Sequence, residues 1–221
     1  MVVTIDGPAG AGKSTIAKQL AIRLGFAFLD TGAMYRTVAL AGLRANCDWN
    51  SESQLARIAK ESEIRVTENH VYLNDEDVSQ VIRTPEVTEV TKHSANNRQV
   101  RLQLVELQRS FAAENNANDK GVVTEGRDQG SLVFPTARCK IYLTATPEER
   151  ARRRVADFAT QGKSLSYEEV LRQQNLRDHQ DESRSLGALI KADDAVEVLT
   201  DGMSPDEVIE ELALIVSKKS N

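Results

Sequence analysis

With 221 residues, 40% of them apolar and 28% charged, the chain has material for one large domain, or for a core carrying inserted pieces. A net charge of −5 excludes bulk attraction to nucleic acid or to an anionic membrane, so any anion binding has to be local. Cys47 and Cys139 fit no metal spacing and read as reduced thiols, the first apolar run is too short for a signal peptide, and no stretch could span a bilayer; the expectation is a soluble, cytoplasmic protein.

Four β-prone residues, Val2-Val3-Thr4-Ile5, run straight into Asp6-Gly7-Pro8-Ala9-Gly10-Ala11-Gly12-Lys13-Ser14-Thr15, and a helix-forming run begins at once. Gly-x-x-x-x-Gly-Lys-Ser between a strand and a helix is the context a phosphate-binding P-loop requires. The glycines let successive backbone N–H groups point inward, and the helix N-terminus adds partial positive charge, so main chain does most of the holding. Lys13 is placed for the β- and γ-phosphates and Ser14 for Mg²⁺.

The helix should end near Gly25, and Phe26-Ala27-Phe28-Leu29 reads as a short buried strand. Its end carries Asp30-Thr31-Gly32-Ala33-Met34-Tyr35-Arg36, followed by a helix through about Leu43. In open α/β sheets ligands collect at the carboxyl ends of strands, so this loop should lie near the first, and its hydroxyl, ring and guanidinium suit a second, phosphorylated ligand. Between Asn46 and about Pro85 the βα alternation stops. A polar helix capped by Ser51 leads to two short β runs, Ile64 to Thr67 and Val71 to Leu73, around a Glu68-Asn69-His70 turn, with Asn74 to Asp77 as the next turn. This reads as an insertion that covers a ligand, with His70 a solvated loop residue.

One long helix is expected from Glu86 to about Asn115, with Val100, Leu104, Leu107 and Phe111 as its core stripe and Arg98, Arg101 and Arg109 outside it. The strand from Gly121 to Thr124 ends in Glu125-Gly126-Arg127-Asp128-Gln129-Gly130, an acid, an arginine and an aspartate at a strand's carboxyl end, close to where the P-loop ligand would sit. A further strand, Cys139 to Thr144, precedes a helix opened by Pro147 that carries Arg150, Arg152, Arg153 and Arg154. Gln161-Gly162-Lys163 breaks it, and a second helix from Tyr167 ends in Arg177-Asp178-His179-Gln180-Asp181-Glu182-Ser183-Arg184. Two arginine-rich helices on a net acidic chain read as a mobile lid over phosphates. A last strand, Ala195 to Leu199, and a helix capped by Ser204 with Pro205 at its first position close the chain.

With these four motifs in this order, the chain resembles bacterial cytidylate kinases, P-loop nucleoside-monophosphate kinases, over essentially its whole length. The resemblance implies an α/β fold: a P-loop core with a five-stranded parallel sheet flanked by helices, an inserted NMP-binding region with a small antiparallel sheet, and a helical lid. In this numbering the core would be about 1–35, 95–146 and 188–221, the insert about 36–94 and the lid about 147–187. It implies transfer of the γ-phosphoryl group of ATP-Mg to CMP or dCMP by a monomer without nucleic-acid or membrane partners. Gly7, Pro8, Ala9, Gly10, Ala11, Gly12, Lys13, Ser14 and Thr15 would bind ATP phosphates, with Arg150 also on the donor side and Ser14 on the metal. Thr31, Tyr35 and Arg36 match contacts to the acceptor, Arg36 and Arg127 its phosphate, Arg101 and Asp128 the cytosine edge, Arg177 and Asp181 the sugar, and Arg184 the phosphates. Lys13, Arg127, Arg154 and Arg184 would carry the transfer. Three positions depart from the family's pattern: Glu125 stands where Asp is usual, Lys92 where a serine commonly helps read the base, and Gln180 where arginine is frequent. The residues alone leave open a P-loop kinase for another monophosphate such as UMP or AMP. They also leave open a nucleotide-binding switch, although the guanine-reading Asn-Lys-x-Asp is absent.

Overall fold

The computed structural model describes residues 1–67, 69–160, 162 and 164–220. In chain order, β1 (Val2–Asp6) leads through the glycine loop to α1 (Lys13–Leu24), then β2 (Ala27–Asp30), α2 (Thr31–Arg44), α3 (Glu52–Glu61), β3 (Ile64–Val66), β4 (Val71–Leu73) and β5 (Glu76–Asp77). After a 3₁₀ turn at Val81–Arg83 come α4 (Pro85–Asn96), α5 (Arg98–Ala117), β6 (Val122–Gly126), a π-helical turn at Gln129–Val133, β7 (Cys139–Thr144), α6 (Pro147–Thr160), α7 (Tyr167–Glu182), β8 (Val196–Leu199) and α8 (Pro205–Ser220).

The main sheet is parallel, in the order β2-β6-β1-β7-β8, and β1 at its centre is buried from Val3 to Asp6. A parallel sheet needs apolar cover on both faces. On one side Val3, Ile5, Val123, Ile141 and Leu143 pack against Ile16 and Leu20 of α1 and Val208 and Leu212 of α8. On the other, Leu29 and Val122 meet Met34 of α2 and Val100 and Leu104 of α5. The register then fixes where the loops gather. Asp30 of β2 lies opposite Glu125 of β6, and Asp6 of β1 opposite Gly126, so three strands end together at one edge of the sheet. No helix among the described residues is long and apolar enough to cross a membrane. Cys47 and Cys139 are both buried and free.

Three expectations change. The long helix expected from Glu86 to Asn115 is two helices that break at Asn97, whose backbone is extended. The Asn97 carboxamide accepts from the N–H groups of Gln99 and Val100 at 3.0 and 3.1 Å and donates to the Glu52 carbonyl at 2.8 Å, so it caps α5 and fastens it to α3. That new start rotates the stripe: Val100, Leu104, Val105, Gln108 and Ala112 are buried, Leu107 is exposed, and Arg101 lies inside rather than outside. In the insert, Glu76 and Asp77, expected as turn, pair with Leu73 and Tyr72 as a third strand; the turn is Asn74 and Asp75 alone, both at positive φ, as a two-residue hairpin connection requires. Glu68, Gln161 and Lys163, parts of the expected hairpin turn and of the break between the lid helices, lie outside the described residues.

Candidate active site

The glycine loop begins with a close contact that only glycine tolerates. At Gly7 φ is +151°, and a Cβ there would sit 2.0 Å from the Leu143 carbonyl oxygen. The loop ends with Gly12 in the left-handed conformation, and α1 starts at Lys13, so the first turn's free N–H groups face the loop. Lys13 is buried, and its Nζ donates to the Pro8 carbonyl at 2.8 Å. Burial holds its amine well below the usual lysine range; Arg127 and Arg177 add to this, while Glu125 and Asp6 oppose it. Asp6 at the end of β1 accepts from the N–H groups of Gln129 and Gly130 at 2.8 and 2.7 Å, tying the P-loop strand to the loop after β6. Burial pushes this carboxyl up to about 7 against the pull of those two amides.

A cavity of about 650 Å³ is lined by the loop from Ala9 to Thr15, and a second of about 340 Å³ lies beside it. Thr31, Tyr35, Arg101, Asp128, Asp181 and Arg184 line the second. Arg36, Glu125, Arg127 and Arg177 line both, so three guanidinium groups and one carboxyl stand where the cavities meet. Arg127 Nε donates to Asp181 at 2.7 Å, and Arg184 pairs with the other oxygen of the same carboxylate. Burial works to lower the Arg127 guanidinium, but Asp181 and Glu125 together hold it above the ordinary arginine value. For the other two arginines, Asp181 beside Arg177 and Asp30 beside Arg36 are outweighed. Desolvation and then Arg127 bring Arg177 down to about 10, and burial and then Arg83 lower Arg36. Glu125 is raised, by burial and then by Asp30. This junction has more positive charge than its own carboxylates neutralise, and it is built to receive an anion.

Arg36 is held in place by the 3₁₀ turn and α4: Nη1 donates to Thr88 Oγ1 at 2.6 Å and to the Ile82 carbonyl at 3.3 Å. Deep in the second cavity Arg101 and Asp128 form a buried ion pair, with the Arg101 guanidinium 5.2 Å over the Tyr35 ring. Arg101 also donates to the Ala95 carbonyl at 2.9 Å, while its buried Nε has no partner. Burial pushes the Tyr35 phenol up to about 12, so it stays neutral. Lys92, exposed, lines the same cavity.

Not every expected residue faces the cavities. Gly7 and Pro8 line neither cavity. Thr31 lines the acceptor cavity, but its hydroxyl donates to the Glu125 carbonyl at 2.7 Å, joining the second and third loops. Arg150, expected on the donor side, lines neither cavity: its guanidinium bonds to Asp178 at 2.6 Å and to the Ala9 and Ala145 carbonyls at 2.8 and 3.1 Å. Arg154, one turn on, does line the larger cavity and stacks 4.5 Å over the Phe158 ring. Sequence reasoning missed Arg83, which pairs with Asp30 at 3.0 Å on the wall of the larger cavity, because an arginine in an irregular segment carries no local signal. It also missed Gly187. At φ +69°, its Cα passes so close over the Arg101–Asp128 pair that a Cβ would lie 1.9 Å from Arg101 Nη2.

The cytidylate kinase family profile matches residues 3–218. A cytidylate kinase of Rhodopirellula baltica is 47% identical over 216 residues, covering 98% of this chain and 92% of that protein. The chain belongs to the cytidylate kinase family. A second member, from Carboxydothermus hydrogenoformans, is 42% identical across 100% of this chain and 99% of its own length. Among solved structures, an uncharacterized protein from Eubacterium ventriosum aligns over 99% of this chain and 98% of its own with a TM-score of 0.52 at 10% identity, a likeness of fold alone.

Proposed function

We propose that this member of the cytidylate kinase family transfers the γ-phosphoryl group of ATP to the 5′-phosphate of CMP or dCMP, giving ADP and CDP or dCDP. The observation that carries this reading is the junction of two cavities, one floored by the phosphate loop, with Arg36, Arg127 and Arg177 shared between them. A single-nucleotide site needs one anion cradle. Two cradles that share their cations suit two phosphorylated substrates brought into line.

A phosphate monoester has its second pKa near about 6, so the acceptor is already ionised at neutral pH and needs no general base. What remains is repulsion between two polyanions, and the side chains address it by position and charge. Lys13 and the loop amides from Gly10 to Ser14 hold the donor. Arg36, Arg127 and Arg184 hold the acceptor phosphate, Arg177 and Asp181 the sugar side, and Arg154 faces the group in transit. Arg101 and Asp128 present a donor and an acceptor to the pyrimidine edge, over Tyr35, with Lys92 as a further donor at the rim. α6 and α7 form the lid that excludes water from the transfer.

The site also suits Mg²⁺. The donor proposed for it is the exposed hydroxyl of Ser14, which lines the larger cavity, and no group of three His, Cys, Asp or Glu side chains among the described residues could cage a metal. Such a site fits a cation that keeps waters and takes its other ligands from substrate phosphates. When bound, the ion neutralises charge on the donor's phosphate oxygens. We place the core at about 1–35, 95–146 and 188–221, the acceptor-binding insert at about 36–94 and the lid at about 147–187, in a cytoplasmic monomer.

Arg127→Ala tests the assignment. Loss of a charge-assisted contact should lower kcat/KM for CMP by about 10- to 100-fold and leave the ATP KM within a few-fold. Unchanged CMP kinetics would show that this guanidinium does not meet the acceptor.

A further inference from the structure

The motif at the end of α7 contains one buried residue that the two cavities do not explain. Arg177, Asp181 and Arg184 line a cavity; Asp178 lines neither. It is buried, and both carboxylate oxygens are engaged: one accepts the Ala9 N–H at 3.2 Å and the other the Arg150 guanidinium at 2.6 Å. Arg150 in turn donates to the Ala9 carbonyl at 2.8 Å. The N–H and C=O of a single P-loop residue are thus both gripped by the lid, one by each lid helix. Gln174, one turn before Asp178 on α7, is buried against Gly10 with neither amide atom partnered.

Stability does not account for this seam. A buried ion pair is weak evidence for stability, since well-packed apolar side chains of similar volume often do as well or better, and a buried unpartnered amide is a cost. Geometry does account for it. A trans peptide points its carbonyl and its N–H in opposite directions. Drawing the Ala9 carbonyl into the seam therefore turns the following N–H, that of Gly10, away from the seam and towards the cavity that Ala9 and Gly10 line. It also keeps a carbonyl oxygen from facing a bound phosphate. We infer that Asp178, acting through Arg150 and the Ala9 peptide, is a positioning residue for the phosphate loop: it sets the loop in its anion-binding form and makes donor affinity depend on the lid helices being in place.

This inference rests on the donor reading of the larger cavity but not on the identity of the acceptor, so the test uses direct binding. Asp178→Asn keeps the size of the side chain and removes the charge that orients Arg150. Calorimetry with ADP should show affinity reduced about tenfold or more, while CMP affinity stays within twofold, because Asp181 and its arginines are untouched. Arg150→Gln should weaken ADP similarly, and Arg150→Gln with Asp178→Asn no more than either alone, as expected of groups acting as one unit. Unchanged ADP affinity in Asp178→Asn, equal weakening of ADP and CMP, or additive losses in the double variant would each overturn the inference. Should Asp178→Asn melt early, Arg150→Lys, which keeps the charge but not the fork that reaches both Ala9 and Asp178, gives the same readout, and unaltered ADP affinity there would equally overturn it. A wild-type chain that binds ADP but not CMP would sink the acceptor assignment and leave this inference standing.

Discussion

Buried beside Arg127 and Arg177, Lys13 carries its proton less readily than a lysine in water. A polyphosphate brought against it supplies the missing negative charge and restores the proton. The sign follows for the whole junction: Arg177 is lowered and Glu125 raised, and an added anion favours the protonated form of each. Binding of ADP at pH 8.5 should therefore be accompanied by net proton uptake, measured as a dependence of calorimetric enthalpy on the buffer's ionisation enthalpy. Lys13→Ala should lose most of that uptake and lower kcat by about 10²-fold or more. Proton release, or no buffer dependence, would mean that Lys13 is fully charged before the donor arrives. At this scale the sequence was legible where a motif carries its own geometry, as Gly7 to Thr15 does. It was illegible where a role depends on contacts across the chain. Nothing local to Arg150 says that its guanidinium bonds back to Ala9, 141 positions away, and nothing near Gly187 says that it must clear the Arg101–Asp128 pair.

Among the elements, the junction of α4 and α5 decides how the second cavity is built. Had the chain run as one helix from Glu86 to Asn115, the stripe from Val100 to Phe111 would have set its face, and Arg101 would have pointed to solvent. The break at Asn97 instead lets α5 start afresh with Val100, Arg101 and Leu104 turned inward, which delivers Arg101 to Asp128. Apolar periodicity carries no phase across such a break, so the sequence gives the helices but not the joint. Asn97→Ala removes the cap and the bond to Glu52, and should cost about 1–2 kcal/mol, lowering Tm by roughly 2–8 °C in a chain of this size. The same substitution should raise the KM for CMP more than that for ATP, because the displaced element carries Arg101. A Tm within a degree of the parent's would show that the helices continue without the cap. The three-stranded insert behaves alike: its two β runs are visible as alternation, while the Glu76–Asp77 pairing is too short for any periodicity to register and follows from the Asn74–Asp75 turn.

For the whole molecule, the parallel sheet does the work of assembly. Its register brings the ends of β1, β2 and β6 to one edge, so three loops that are distant in sequence supply Lys13, Arg36 and Arg127 to one space. α7 adds Arg177 and Asp181 to the walls of that space, and its Asp178 accepts from the Ala9 N–H of the glycine loop. The gathering of the strand ends at one edge was readable from strand, loop and helix in order. The sharing of Arg36, Arg127 and Arg177 between two cavities was not, because it depends on how α2 and α7 are placed against the strand ends. That sharing is the basis for a two-substrate phosphoryl transfer, and the direct measurement is the initial rate of ADP formation from ATP with Mg²⁺ and CMP, dCMP, UMP or AMP as acceptor. We expect turnover of CMP and dCMP, with kcat/KM for UMP and AMP lower by at least about tenfold, on the proposal that Arg101 and Asp128 read the cytosine edge. Preference for AMP or UMP, or ATP consumption that needs no acceptor, would contradict it.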